Sequence, residues 1–161
     1  MMAVVRTRLA VGIVLAAAAA FAMPGAAAPA VDEGAAVYKR CAACHLANGA
    51  GVPGAFPPLR GDIRALAARS AGRRYLTLVV TRGVSGPITV EGKIFRGVMP
   101  TQSGLDDAQV AAVLNHVLGT FAKVGPAARP FTAAEVAQVK AGSAGLTPAA
   151  IGKLNAQLSG Q

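Results

Sequence analysis

Apolar residues recur at helical spacing in a segment that begins near position 110. The residues that repeat at intervals of three and four are Val110, Val113, Leu114, Val117, Leu118 and Phe121. This spacing predicts an amphipathic helix whose apolar face packs inward, most simply against the first helix of the chain. Asp106 precedes the segment and Gln109 follows three residues later, a pattern that predicts a capping box at the helix start.

The first half of the chain contains two further segments with helical character. Val31 to Ala43 is predicted as a helix, because two acidic residues lie at its start, where they favour the positive end of the helix dipole. Residues 74–80 are rich in apolar side chains and are followed shortly by Gly83, which favours a helix that ends at a glycine cap. Between these segments, the glycine-rich residues 48–54 predict a loop.

The last forty residues also carry helix signals. Thr132 and Glu135 have capping-box spacing, which predicts a short helix that ends near Gly142. Thr147 followed by Pro148 predicts a second helix start, with proline at the first helical position. Apolar residues then recur at helical spacing at Ile151, Leu154 and Leu158. We therefore expect residues 122–161 to form a C-terminal helical extension that packs on the same domain.

One segment has β character instead. Two short β-prone runs within residues 88–95 flank Glu91 and Gly92, which predicts a small hairpin with a tight turn. Pairing across that turn places Ile88, Val90 and Phe95 on one face. Together these patterns predict a mainly α protein with one β-hairpin.

The first thirty residues have a different pattern from the rest. Arg6 and Arg8 are followed by an uncharged apolar run from Leu9 to Met23, and a small-residue stretch ends at Ala30. A basic start, an apolar middle and an A-x-A ending are typical of a secretory signal peptide. The run is shorter than the ~20 residues that span a bilayer, which argues against the alternative of an uncleaved anchor. We predict that residues 1–30 are a signal peptide, cleaved near Ala30, and that the protein is exported to the periplasm.

Composition and charge exclude several classes of protein. Hydrophobic residues make up 53% of the chain and charged residues 14%, which excludes a disordered charged tail. Two cysteines are too few for a disulfide framework, and the length predicts one domain. The net charge of +9 is compatible with nucleic-acid binding, but export and an aromatic content of 4% argue against it. The basic residues are mainly arginine, and either a docking patch or an ordinary solvated surface accounts for them.

Both cysteines lie in one short motif, Cys41-Ala42-Ala43-Cys44-His45. Two thiols three positions apart can each add to one haem vinyl group, while the adjacent histidine is held where its imidazole can bind iron; this is the attachment signature of c-type haem. The alternatives are a structural disulfide, a thioredoxin-like redox pair and half of a zinc site. A thioredoxin-like redox pair lies within a βαβ unit, and no parallel-strand pattern flanks this motif. A structural zinc site needs four ligands, and the chain has no further cysteine. We therefore predict one covalently attached haem c.

A six-coordinate haem iron needs a second axial ligand. Removal of the signal peptide leaves Met99 as the only methionine, in a loop that is able to present its thioether to iron. A His/Met pair raises the reduction potential, as in electron-transfer cytochromes. Although a lone methionine more often fills a core, the upstream motif favours Met99 as the ligand. The rival, His116, lies inside the apolar helical segment and is better explained as a packed or surface histidine.

With these residues in place, the chain resembles the class I cytochromes c. The resemblance rests on the Cys41–His45 motif, the Pro57–Gly61 segment, Met99 with Pro100, and the helix before Phe121. The likeness is strongest to bacterial members with a hairpin before the methionine loop and a C-terminal extension, known from thermophiles. It spans residues 34–148, including the segments Gly54–Leu59, Gly72–Leu76, Ala111–His116 and Phe131–Val136.

The resemblance implies a role for each site residue. It implies a class I cytochrome c fold over residues 31–121, with thioether bonds at Cys41 and Cys44. His45 and Met99 are then the axial iron ligands. Pro57 lies twelve residues after the histidine, where the family has a proline whose carbonyl accepts a hydrogen bond from the ligand imidazole. The hairpin face then covers either a haem edge or ordinary core, and its alternating pattern does not separate these two possibilities.

The resemblance also implies a function. We expect a periplasmic one-electron carrier and not an enzyme, with redox proteins as partners. A quinol-oxidising complex or a dehydrogenase is the expected donor, and a terminal oxidase, of ba type in the similar proteins, the expected acceptor. The alternatives are the haem subunit of a periplasmic dehydrogenase that oxidises sulfite or an alcohol, and a peroxidase or gas binder with an open iron site. Membrane contact is expected only through partners or an uncleaved signal.

Overall fold

The computed structural model describes residues 31–159 and is mainly helical in that range. The predicted signal peptide, residues 1–30, lies outside the described residues. The elements in chain order are α1 (Val31–His45), α2 (Ile63–Ala67), α3 (Ser70–Arg82), β1 (Ile88–Val90), β2 (Lys93–Phe95), α4 (Asp107–Thr120), α5 (Ala133–Ala141) and α6 (Pro148–Ser159). Within the described range, no helix is both long and apolar enough to cross a membrane.

Helices α1 and α4 cross at close range, as the sequence predicts. The crossing depends on Gly34, because a Cβ added there would lie 2.4 Å from the carbonyl oxygen of Ala112. One turn further along α1, the ring of Tyr38 packs against His116 and Phe121, with centroid separations of 5.4 and 4.7 Å. Glycine at this position therefore lets the two backbones touch, and the aromatic side chains fill the space beside the contact.

Helix α4 confirms both the predicted cap and the predicted apolar face. The side chain of Asp106 accepts a hydrogen bond from the backbone N–H of Gln109, and the Gln109 side chain accepts one from the backbone N–H of Asp106. The stripe from Val110 to Leu118 is buried, and Phe121 at its end is half-buried. The face packs against α1 and, on its other side, against α3 and α5.

Helices α1 and α3 are longer than predicted, and α2 is an addition. Helix α1 extends to His45, so the whole cysteine motif is helical. Helix α3 begins at Ser70 and ends at Arg82, with Gly83 at a φ of 78° as its cap. The five-residue α2 has no side-chain cap and is too short to show a periodic pattern. It lies against the start of α3, where a Cβ at Gly72 would be 2.1 Å from the Leu66 carbonyl oxygen.

The hairpin has the predicted turn and face. Ile88 pairs with Phe95 and Val90 with Lys93 in antiparallel register, which puts these four side chains on one side of the ribbon. Phe95 is buried there, and Ile94 on the opposite side is 57% exposed. Glu91 and Gly92 in the turn both have positive φ values, of 50° and 73°, as a two-residue hairpin turn requires.

The C-terminal helices join the main core. Helix α5 packs against α3 and α4, and α6 packs against α3 and β1. Together with the segment before α5, they contribute the buried residues Ala122, Phe131, Val136, Ile151 and Leu158 to the core. At the start of α6, the hydroxyl of Thr147 accepts a hydrogen bond from the backbone N–H of Ala150 at 3.2 Å. The extension is therefore built into the fold through buried apolar contacts.

The predicted capping box of α5 forms only in part. The Thr132 hydroxyl accepts from the Glu135 N–H at 3.2 Å, as expected. The Glu135 carboxylate does not return the bond, because it pairs instead with Arg73 of α3. The prediction of a complete box is therefore wrong: a buried guanidinium binds a carboxylate more strongly than a single backbone N–H does.

Candidate haem site

A cavity of about 520 Å³ lies between α1, α3, the hairpin, α6 and the loop that carries Met99. Its volume is in the range typical of sites for small organic ligands. Its wall is mostly apolar, and it includes the side of the hairpin that carries Ile88, Val90 and Phe95. The predicted site residues all line this one cavity, namely Cys41, Cys44, His45, Pro57 and Met99.

The last turns of α1 place the cysteine motif at the cavity. Cys41 and Cys44 are three positions apart in the helix, so their side chains share one face. Both are free thiols and both are half-buried. Burial raises the pKa of Cys41, the positive charge of Arg40 opposes that rise, and Cys44 adds to it. The structure thus contains no disulfide between the two thiols, and both are available for another covalent bond.

His45 ends α1 and is held by a backbone carbonyl. Its Nδ1 atom lies 2.9 Å from the carbonyl oxygen of Pro57. Because a carbonyl only accepts, Nδ1 carries the proton, and the lone pair of the neutral ring is on Nε2. Burial lowers the pKa of His45, and the bond to Pro57 opposes that shift. The bond to Pro57 thus sets the tautomer that a metal-binding histidine uses, with Nε2 as the nitrogen that is able to bind a metal.

The chain between His45 and Pro57 is a tight loop. Leu46 turns the backbone out of the helix with a φ of 63°, and the backbone N–H of Gly51 donates to the carbonyl of His45 at 3.0 Å. Gly51 itself has a φ of 64°, and a Cβ there would lie 2.4 Å from the Phe56 carbonyl oxygen. The glycine-rich loop predicted from the sequence therefore brings the Pro57 carbonyl back to the imidazole.

Met99 enters the cavity from a separate loop. Its backbone pairs with that of Val84 through two hydrogen bonds, each of 2.9 Å. The side chain is half-buried and lines the cavity that His45 also lines. The structure thus brings together a histidine and a methionine that are 54 positions apart in the chain.

His116 lies away from this cavity. It packs between Tyr38 and Phe121, at ring-centroid distances of 5.4 Å from each, and its Nδ1 is 3.4 Å from the hydroxyl of Thr120. Burial lowers its pKa. These contacts are those of a histidine packed at a helix crossing.

Two polar residues of the cavity wall were missed by sequence reasoning. Asn155 of α6 is buried, and its side-chain oxygen accepts a hydrogen bond from the backbone N–H of Thr89 at 2.7 Å. It also bonds to Tyr75 of α3, whose pKa is raised to about 12 by burial, with the bond to Asn155 opposing the rise. A buried amide four residues after Ile151 interrupts the apolar stripe of α6, and this polar position was the signal that could have identified it.

These residues fit a covalently attached haem. The cavity offers two thiols on one helix face, a neutral imidazole with a free lone pair, a thioether and an apolar wall. Within the described part of the chain, the Nε2 atom of His45 has no hydrogen-bond partner. A buried nitrogen lone pair beside two free thiols is what the attachment chemistry of c-type haem requires.

Comparison with known proteins supports this interpretation. The family model for cytochrome c matches residues 31–121. One cytochrome c-552 from Thermus thermophilus is 44% identical over 124 residues, which cover 76% of this chain and 84% of that protein. Another cytochrome c-552 from Thermus thermophilus is 45% identical over 111 residues, covering 68% of this chain and 85% of that protein. The chain therefore belongs to the cytochrome c family: it is an electron-transfer protein that carries one covalent haem c and exchanges electrons with redox partners.

Proposed function

We propose that the protein is an exported monohaem carrier of single electrons, with His45 and Met99 as axial iron ligands. The observation that carries this proposal is that both side chains line one apolar cavity with Cys41 and Cys44. An imidazole and a thioether as the two ligands of the haem iron would favour the reduced state and a raised potential. A six-coordinate iron has no open position for a substrate, which separates a carrier from a peroxidase or gas binder.

The chain's own residues contribute attachment, orientation and exclusion of water. The thiols of Cys41 and Cys44 form the thioether bonds and fix the cofactor to the end of α1. The Pro57 carbonyl orients the His45 ring and raises its basicity as a ligand through the 2.9 Å bond. The haem, when bound, supplies the one-electron chemistry. The apolar face of the hairpin and Leu158 of α6 help to keep water from the cavity, which favours the less charged, reduced cofactor.

We also propose a division of the chain into domains and a cellular location. Residues 1–30 are a signal peptide cleaved near Ala30, residues 31–121 form the cytochrome c domain, and residues 122–161 form the extension. The match of the family model over residues 31–121 and the apolar segment from Leu9 to Met23 support this division.

The proposed partners are respiratory. A quinol-oxidising complex or a dehydrogenase supplies the electron, and a terminal cytochrome c oxidase, of ba type, accepts it. Cleavage removes Arg6 and Arg8 and no acidic residue, so the net charge of +9 becomes +7 in the exported protein. This positive charge supports docking on acidic partner surfaces, an attraction that weakens as salt increases. We therefore expect the rate of oxidation by membranes to fall as the ionic strength rises.

A spectroscopic and kinetic experiment tests this function. The exported protein is purified and its reduced-minus-oxidised spectrum recorded, and the reduced form is then mixed with membranes from the same cells. Rapid, cyanide-sensitive oxidation supports the proposal that the protein donates electrons to a terminal oxidase. Co-purification with a large dehydrogenase subunit, together with no turnover by membranes, supports the alternative of a dehydrogenase subunit. Rapid CO binding to the reduced protein contradicts ligation by Met99.

A further inference from the structure

The loop that carries Met99 rests on the end of α3. The last four carbonyl groups of a helix lack partners within the helix, and here the loop supplies partners for two of them. The backbone N–H of Gln102 donates to the Val80 carbonyl at 3.0 Å, and the Thr101 hydroxyl donates to the Arg82 carbonyl at 2.8 Å. Gly83 allows this approach, because a Cβ there would lie 2.6 Å from the carbonyl oxygen of Met99.

Helix α6 packs against a two-residue backbone segment that lies beside Met99. This segment consists of Val84, which pairs with Met99, and Ser85, the next residue. The backbone N–H of Ser85 donates to the carbonyl of Pro148 in the first turn of α6 at 3.1 Å. Gly152, one turn later, lies so close that a Cβ added to it would be 2.3 Å from the Ser85 carbonyl oxygen. Both contacts are to backbone atoms, so neither is relieved by a side-chain rotation.

The contacts form a continuous path from the C-terminal extension to the methionine. Helix α6 contacts Ser85, Val84 is bonded to Ser85 by the peptide link, and Val84 pairs with Met99 through two hydrogen bonds of 2.9 Å. We propose that α6 is a support for the axial methionine, and that Gly152 is the positioning residue that lets the helix seat against Ser85. This inference depends on the proposed ligation by Met99.

The physical effect of such a support is on the population of open states. A ligand from outside binds iron only when the thioether has moved away, so its apparent affinity scales with the fraction of molecules in which the loop is displaced. A helix held against the backbone behind Met99 lowers that fraction. Loosening α6 at Ser85 therefore strengthens the binding of an external ligand, even though the altered residue does not line the haem cavity.

Two matched pairs of variants test the support. Gly152→Ala forces α6 away from Ser85, whereas Gly119→Ala in α4 introduces a Cβ with no atom within 4 Å. Thr147→Ala removes the cap at the start of α6, and Thr132→Ala removes the equivalent cap of α5; each cap makes a 3.2 Å bond. The measurements are the affinity of the oxidised holoprotein for imidazole and the intensity of the weak far-red charge-transfer band of methionine ligation.

We expect Gly152→Ala to bind imidazole about tenfold more tightly than the wild type, as a tenfold rise in the open fraction requires. Thr147→Ala shifts the affinity in the same direction, and Gly119→Ala and Thr132→Ala do not. Equal effects in the members of each pair, or a folded Gly152→Ala with wild-type affinity, would overturn the support. If Gly152→Ala does not fold, the two threonine variants decide the question alone.

Met99→Ala separates failure of this inference from failure of the proposed ligation. If Met99→Ala binds imidazole no more tightly than the wild type, methionine is not the ligand, and the support falls with it. If Met99→Ala binds tightly while Gly152→Ala and Thr147→Ala match the wild type, the ligation stands and only the support is overturned.

Discussion

Arg73 and Glu135 form a two-point ion pair that joins α3 to α5. The Nε and Nη2 atoms of the guanidinium each donate to a different carboxylate oxygen at 2.6 Å. Its remaining N–H groups donate to the carbonyls of Ala67, Arg129 and Pro130. The guanidinium also lies 3.8 Å from the centre of the Phe131 ring. A side chain that is only 4% exposed thus has all of its polar hydrogens satisfied, and it holds the start of the extension.

Removing the carboxylate should weaken the fold. Glu135→Gln leaves the buried Arg73 without its charge partner, and we expect the free energy of unfolding to fall by about 1–3 kcal/mol. The loss is limited by the partial exposure of the carboxylate. Denaturant unfolding of the holoprotein measures it. Glu33→Gln, at an exposed position, serves as the control, and an equal loss in both variants would contradict the role given to the pair.

The same pair should make stability depend on pH in the acid range. The hydrogen bond and charge of Arg73 hold the pKa of Glu135 below its ordinary value, with Arg129 adding to the effect and burial opposing it. A lowered folded-state pKa gives stability that is fully present above the unfolded-state pKa and lost as pH falls through the folded-state value. The melting temperature of the wild type should therefore fall more steeply than that of Glu135→Gln on acidification below about pH 4.3.

Gly34 should tolerate no side chain. A Cβ there would lie 2.4 Å from the Ala112 carbonyl oxygen and 2.8 Å from the Cβ of His116, so Gly34→Ala has to push α1 away from α4. We expect a loss of about 1–3 kcal/mol in the free energy of unfolding, typical of overpacking. Gly119→Ala, also in a helix but with open space around it, should be neutral or stabilising. Similar melting temperatures for both variants would argue against a tight crossing.

Met99→Ala should change the cofactor spectrum and potential. Without the thioether, we expect loss of the far-red charge-transfer band, a fall in reduction potential of at least ~100 mV, and CO binding by the reduced protein. Val124→Ala is the control, because Val124 is 73% exposed and does not line the cavity. An unchanged spectrum in Met99→Ala would show that another group is the sixth ligand.

Cys41→Ser should leave the haem attached through one thioether. The remaining vinyl group extends the conjugated system of the porphyrin, so the pyridine haemochrome band should shift to longer wavelength. Cys44→Ser should produce the equivalent shift through the other vinyl group. A band at the wild-type position in Cys41→Ser would contradict a thioether at that thiol.

Features that depend on nearby residues were predictable from the sequence. The cysteine motif, the capping box at Asp106 and the hairpin turn at Glu91 and Gly92 each involve neighbours within a few positions, so the local pattern specifies them. The bond from His45 to Pro57 spans twelve positions, and the resemblance to class I cytochromes c was needed to expect it.

Features that depend on distant partners were not predictable in this way. The local pattern offers the Glu135 carboxylate the N–H of Thr132, but the carboxylate pairs with Arg73, 62 positions away. Only the fold shows that these two side chains meet. Two further positions depend on the packing of α6 against α3 and the hairpin. These are Asn155 in the cavity wall and Gly152 against Ser85. Helix α2 was missed for a different reason, because five residues are too few for a periodic signal.

Helix α6 completes one side of the cavity. Its residues Asn155 and Leu158 line the same cavity as Cys41 and Cys44, which lie much earlier in the chain. A cut in the chain between α5 and α6 should therefore leave the cofactor open to solvent on that side, although every proposed thioether position and iron ligand lies before the cut.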